Sequence, residues 1–224
     1  MRDKKVTLSI IVLIKSIVIN CKNYKKLKFW IVTDDEDNFK KIFLLILKNI
    51  KFNNQISLNF IRPSNEIIKE VEDRMSMHCL NIVKKPYSVF NFIRFKFDEL
   101  LPDFLNKCIY LDNDVIVKGD IEELYNSLDS NYDLGVVYPK FPYKLTKEKW
   151  LFSKQLRSEY KKDYLWNAGM YVFYLKSWKE KKYGDFCFQL MDINKNQKIY
   201  EGGTQSVMNI ICENTKDINY LWNI

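Results

Sequence analysis

The side chains best spaced for chemistry in this 224-residue chain are those of Asp112 and Asp114, with Asn113 between them. They follow the apolar run Cys108-Ile109-Tyr110-Leu111 and precede Val115-Ile116-Val117, after which Lys118-Gly119-Asp120-Ile121 punctuates the chain. A run this rich in β-branched and aromatic residues predicts a fully buried central strand with the carboxylates at its end. On a strand, residues two apart share a face, so both carboxylates project together while Asn113 turns aside. Such a pair offers the oxygen ligands that Mg²⁺ or Mn²⁺ takes, alongside the oxygens of a substrate phosphate. The plainer alternative is a pair of turn residues ending a strand.

A scaffold for these carboxylates is legible along the rest of the chain. Its length and 47% hydrophobic content suit one α/β domain with a sizeable core. Residues 6–19 read as a helix, with Val6, Ile10, Leu13, Ile14 and Ile17 at core-facing spacing. The competing reading is a degenerate signal peptide; Lys15 interrupts the run, which is too short to span a bilayer. A strand is expected over 27–33, ending on Asp34-Asp35, then a helix over 37–50 and a strand over 56–61 before Pro63. Ser88 can cap a helix that contains Arg94, runs to Leu100 and is stopped by Pro102.

After the acidic strand, Asp120 can cap a short helix over 121–125. Strands at 134–138 and 170–175 and helices at 178–192 and 204–212 complete the pattern. Residues 139–162 show no period and read as an active-site loop or surface excursion, expected to be mobile. Strands alternating with helices predict a mostly parallel central sheet covered on both faces.

The net charge of +8 could suggest nucleic acid or an anionic ligand, but only five of the 36 basic residues are arginines. Lysines interleaved with acids describe a solvated surface rather than a groove built for bidentate phosphate contacts, so no nucleic-acid partner is expected. The five cysteines are widely spaced with no Cys-x-x-Cys pair, and His78 is the lone histidine. Structural thiols are the default, and no transmembrane segment is expected in this chain.

Several blocks in order carry a resemblance to a known family. Leu111-Asp112-Asn113-Asp114-Val115-Ile116-Val117-Lys118-Gly119-Asp120-Ile121 resembles the Asp-x-Asp block of the family 8 glycosyltransferases, the GT-A group that includes glycogenin and the plant galacturonosyltransferases. Lys15-Ser16-Ile17 with Phe29-Trp30-Ile31-Val32-Thr33-Asp34 is similar to the family's first helix and second strand. Phe92-Ile93-Arg94-Phe95 with Leu100-Leu101-Pro102 resembles its Arg-bearing helix. Trp166-Asn167-Ala168-Gly169-Met170 resembles its Asn-Ala-Gly block, and Gly203-Thr204-Gln205-Ser206-Val207-Met208-Asn209-Ile210 its donor-site helix, with Leu221-Trp222-Asn223 as the strand after it.

The resemblance implies a GT-A, Rossmann-like nucleotide-diphospho-sugar transferase fold and retaining transfer from a UDP-sugar donor, with Mn²⁺ or Mg²⁺ on the diphosphate. It implies that Asp112 touches ribose and metal, Asp114 is a metal ligand, and Asn113 lies in the cofactor-binding block. Arg94 would orient the nucleotide. Asn167 would hydrogen-bond the donor sugar, with Ala168 and Gly169 allowing close backbone approach, and Gln205 would serve the same catalytic pocket. The acceptor, whether glycan, protein or small molecule, is left open, as is the compartment between the Golgi or secretory lumen and the cytoplasm.

The family opens with a nucleotide-binding strand and closes with a His and a Gly-x-x-Lys-Pro-Trp block. Residues 1–224 are accordingly expected to form a single GT-A domain lacking both, and Thr204 stands where many members carry an aspartate. Two alternatives are a catalytically deficient fragment acting as a binding or partner module, and a phosphatase. The second arises because Asp-x-Asp-x-Val also resembles the first motif of the haloacid dehalogenase phosphatases.

Overall fold

The computed structural model describes residues 2–33, 37, 40, 41, 44, 56–79, 89–139 and 145–222. They belong to two compact units, one made of Met1–Ser64 with Leu111–Asn126 and the other of Asn65–Tyr110 with Ser127–Ile224. The expected helix over 37–50 lies largely outside the described residues, as do Asp34, Asp35 and the Ser88 cap.

In the first unit, helix α1 (Arg2–Asn20) packs against strands β1 (Lys28–Val32) and β2 (Ser57–Ile61), which pair in parallel from Lys28 opposite Ser57 to Val32 opposite Ile61. Ile11, Ile14 and Val18 recur at helical spacing and bury against Ile31, with Leu27, Phe29, Leu58 and Phe60 beside them. Leu13 and Ile17 are buried as the periodicity predicts, whereas Val6, one helical turn or more before that stripe, is exposed.

The second unit holds helix α2 (Asn65–Cys79), then β3 (Lys107–Leu111), β4 (Leu134–Val136), β5 (Leu145–Thr146), β6 (Tyr164–Leu165) and β7 (Met170–Tyr174). Helices α3 (Tyr183–Gln197) and α4 (Thr204–Ile211) and strand β8 (Thr215–Asp217) follow. The main sheet has the order β3-β7-β4-β8. β7 runs antiparallel to β4, with Leu134 opposite Phe173, while β8 runs parallel to β4. The central sheet is therefore mostly antiparallel and corrects the expectation of a mostly parallel one. Its cause is β7, which enters between two strands that precede it in the chain, so simple βαβ crossovers do not build the sheet.

Three further expectations change. β3 lies at one end of its sheet, is only partly buried along its length and stops at Leu111, so it is not a fully buried central strand. Residues 145–162 are more ordered than a loop, because β5 pairs with β6 and short helices span Lys147–Trp150 and Lys154–Glu159; residues 140–144 lie outside the described residues. Tyr220–Trp222 forms a 3₁₀ turn instead of a strand, and Asn223 is not described.

The expected Arg-bearing helix is broken into Val89–Phe92, a 3₁₀ turn over Ile93–Lys96, and Phe97–Leu100. Aromatic side chains fill the core beneath it: Phe97 stacks on Phe173, and Trp178 meets Phe173 edge-on. No helix among the described residues is long and apolar enough to cross a membrane. Cys21, Cys108, Cys187 and Cys212 are free thiols, and burial pushes the Cys108 thiol up to about 11.

Candidate functional site

The acidic pair belongs to the first unit. Because β3 ends at Leu111, residues 112–115 form a turn in which the Val115 N–H donates to the Asp112 carbonyl at 3.3 Å. The two-residue alternation of a strand therefore does not govern these side chains. Asp112 is half-buried, and Asn113 and Asp114 are exposed. Beyond the turn, Val117 is buried and its peptide groups are held by α1. Its N–H donates to Ser16 Oγ at 2.9 Å, and its carbonyl accepts from Asn20 Nδ2 at 2.9 Å. Asp120 accepts from the Glu122 N–H at 3.1 Å, the expected cap on the helix Ile121–Asn126.

Both carboxylates are oxygen donors on an accessible turn, the chemistry that a hard divalent cation requires. Among the described residues no group of three or more His, Cys, Asp or Glu side chains forms a protein-only metal cage. Two carboxylates suit an ion that completes its coordination with phosphate oxygens and water, so the donor set fits Mn²⁺ or Mg²⁺.

The remaining predicted residues lie in the second unit, and two of them converge on the backbone of Ala168. Arg94 is 3% exposed, far from the surface position an amphipathic helix would give it. Its Nη1 donates to the Ala168 carbonyl at 2.8 Å, its Nε donates to the Asn91 carbonyl at 2.8 Å, and its guanidinium lies 4.2 Å from the Tyr110 ring centroid. The other side of Ala168 is fixed too, since its N–H donates to Gln205 Oε1 at 3.2 Å. Ala168 is buried, while Asn167 and Gly169 are half-buried.

Asn167 donates its N–H to the Val137 carbonyl at 3.0 Å and accepts the Gly169 N–H on its own Oδ1 at 2.7 Å. That local bond is an Asx turn, and it fixes the carboxamide at its oxygen end. Among the described residues no acceptor takes the Asn167 Nδ2 group, leaving it a donor for a ligand. Thr204, in the place of the family's aspartate, is the buried first residue of α4. His78 lies on α2.

Two participants escaped the sequence reading. Asn209 carries four hydrogen bonds next to the 167–169 turn, and the Tyr160 hydroxyl supplies one of them. The signal for Asn209 was a polar residue four positions after Gln205, on the same helical face. Nothing local marked Tyr160. An open cleft of about 440 Å³ is lined by Tyr138, Pro139, Tyr164, Asp217, Ile218, Asn219 and Tyr220.

Comparison with solved structures defines the class. The chain superposes on mouse xyloside xylosyltransferase 1 in its apo form with a TM-score of 0.67 and 13% identity, covering 96% of this chain and 80% of that one. It superposes on the galactosyltransferase LgtC, solved with donor and acceptor sugar analogs, with a TM-score of 0.68 and 16% identity, covering 96% of this chain and 70% of that one. At these identities the likeness concerns the fold, which is an α/β fold of the GT-A glycosyltransferase type.

The family follows from the sequence itself. The model of glycosyl transferase family 8 matches residues 2–224, and the chain belongs to that family. It is similar to probable galacturonosyltransferase 4 of Arabidopsis thaliana, with 25% identity over 219 residues, 86% of this chain and 35% of that protein. It is also similar to probable galacturonosyltransferase-like 10 of the same plant, with 31% identity over 144 residues, 61% of this chain and 39% of that protein. The chain thus spans well under half the length of these curated relatives.

Proposed function

We propose that this chain carries out retaining transfer of a hexosyl or glycuronosyl group from a UDP-sugar to a glycan, protein or small-molecule acceptor. Asp112 and Asp114 are the residues that would hold Mn²⁺ or Mg²⁺, with Asn113 beside the nucleotide. A divalent ion there supplies positive charge to the diphosphate as negative charge develops on the leaving group. Arg94 braces the Ala168 carbonyl and would orient the nucleotide. Asn167 donates from Nδ2 to a hydroxyl of the donor sugar, and the absence of side chain on Gly169 lets the sugar approach the backbone. Gln205 serves the same sugar pocket through the peptide it holds.

The observation that carries this reading is the 167–169 turn. Arg94 and Gln205 hold the two backbone polar groups of one residue, Ala168, and the adjoining Asn167 offers an amide donor with no acceptor among the described residues. Preorganised donors of this kind cost no reorganisation when a polar ligand arrives. The names of the curated relatives make UDP-galacturonic acid the first donor to test. Membership of family 8 leaves the phosphatase reading of the acidic pair without support.

Calorimetric titration with UDP tests the metal role. The wild-type chain is expected to bind UDP in a Mn²⁺-dependent manner, and Asp114→Asn to abolish that dependence. Wild-type affinity in the Asp114→Asn variant would remove the metal role of the pair. Release of UDP from a donor separates a transferase from a partner module that binds the nucleotide without turnover.

A further inference from the structure

We infer that Asn209 is a positioning residue for the donor-sugar turn, acting by gripping the backbone of Trp166 from helix α4, with Tyr160 holding Asn209 in that pose. The inference rests on the transfer reading above, in which Asn167 meets the donor sugar. Asn209 is 2% exposed, so each of its polar atoms must be paired inside the protein. Its Oδ1 accepts the Trp166 N–H at 2.8 Å and the Tyr160 hydroxyl at 3.0 Å. Its Nδ2 donates to the Trp166 carbonyl at 3.0 Å and to the Gln205 carbonyl at 2.9 Å. A carboxamide has two acceptor positions and two donors, and here all four are used.

One side chain therefore takes both polar groups of Trp166, as a neighbouring strand would take them. Trp166 immediately precedes Asn167, and one helical turn back on α4 Gln205 holds the Ala168 N–H. Two residues on one face of α4 thus fix consecutive points of the segment 166–168, between which Asn167 presents its amide. Tyr160 completes the arrangement from the end of the helix Lys154–Glu159, a stretch that the sequence alone suggested would be mobile. Burial pushes the Tyr160 hydroxyl up from its ordinary value, with the neighbouring Tyr138 adding to the effect, so it remains a donor at working pH.

A residue that merely stabilised the core would affect every ligand alike. A positioning residue for the sugar turn affects the sugar and spares the nucleotide. The test uses the full chain with Asn209→Asp and Tyr160→Phe, each checked for folding by its thermal midpoint. The readout is the affinity for UDP-galacturonic acid, UDP-galactose and UDP-glucose relative to UDP, in Mn²⁺.

Asn209→Asp keeps the shape but sets a carboxylate oxygen against the Trp166 and Gln205 carbonyls. It is expected to lower UDP-sugar affinity about tenfold or more relative to UDP, and Tyr160→Phe about threefold, with UDP affinity unchanged. A folded Asn209→Asp protein with an unchanged ratio, or with parallel losses for UDP and the sugars, overturns the positioning role and leaves the transfer reading standing. If Asn209→Asp does not fold, Tyr160→Phe decides by the same criterion. A wild-type chain that binds neither UDP nor any of the three donors overturns both.

Discussion

Asp133, just before β4, is a buried carboxylate whose partners decide its charge. Burial by itself would raise its pKa, but hydrogen bonds from Lys181 at 2.5 Å, from Tyr183 at 2.6 Å and from Ser177, together with the Lys181 charge, hold it below the ordinary value. A carboxyl with a lowered folded pKa contributes stability above its unfolded pKa of about 3.9 and loses it as pH falls through the folded value. Asp133→Leu is expected to cost about 1–3 kcal/mol at neutral pH, because the buried Tyr183 hydroxyl loses its acceptor. The cost should shrink as pH falls below about 3.9, where the carboxyl of the unfolded chain takes up its proton before the folded one does, and vanish below the lowered folded value. Urea unfolding at pH 7 and pH 3 checks this, and an equal difference at both pH values would contradict it. At this scale the sequence is an uneven guide. Arg94 was identifiable from its block, but its burial against Tyr110 and its grip on Ala168, 74 positions along the chain, depend on tertiary contacts. Asn209 looked like an ordinary member of an amphipathic helix because its importance lies in the backbone of another segment.

At the scale of elements, the same dependence on distant partners appears where α3 crosses the Arg94-bearing turn. A Cβ on Gly184 would stand 1.9 Å from the Phe95 carbonyl oxygen, so only glycine allows the helix this close. Gly184→Ala is expected to destabilise the chain by about 1–3 kcal/mol through overpacking against backbone. For a chain of this size the thermal midpoint falls by about 2–4 °C per kcal/mol. A midpoint equal to wild type would show that the helix can retreat at no cost. Hydrophobic periodicity located α1, β1, β2, β7 and α4, because each buries one face or one short run. It could not reveal that β7 enters between β3 and β4, since an apolar run reports burial and carries no strand direction. The same limit extended β3 too far. Val115-Ile116-Val117 has strand composition, yet the turn at 112–115 and the anchoring of Val117 by α1 remove it from the ladder.

Over the whole molecule, membership of family 8 extends across residues 2–224, whereas the chain packs as two compact units. The order of motifs carried the family, because each block needs only its own residues. The division into units depends on which segments pack together, and residues 111–126 join the first unit after a long excursion through the second. The net charge of +8 is spread over lysines, several of which meet acids at the surface, as Lys216 meets Asp129 and Lys176 meets Glu180. Such pairs contribute about 0–1 kcal/mol each and chiefly keep the surface hydrated.

The attachment of Val117 to α1 bears on self-association. Ile116 is exposed, and a β-branched triplet with vacant backbone groups is a template on which another copy can add a strand. Ser16 and Asn20 occupy the N–H and carbonyl of Val117 and withdraw them from that template. Removing both side chains with Ser16→Ala and Asn20→Ala is expected to lower the temperature at which light scattering rises and to yield fibrillar, dye-binding material. Scattering that begins at the wild-type temperature would mean that these polar groups of a helix offer no protection against fibril growth.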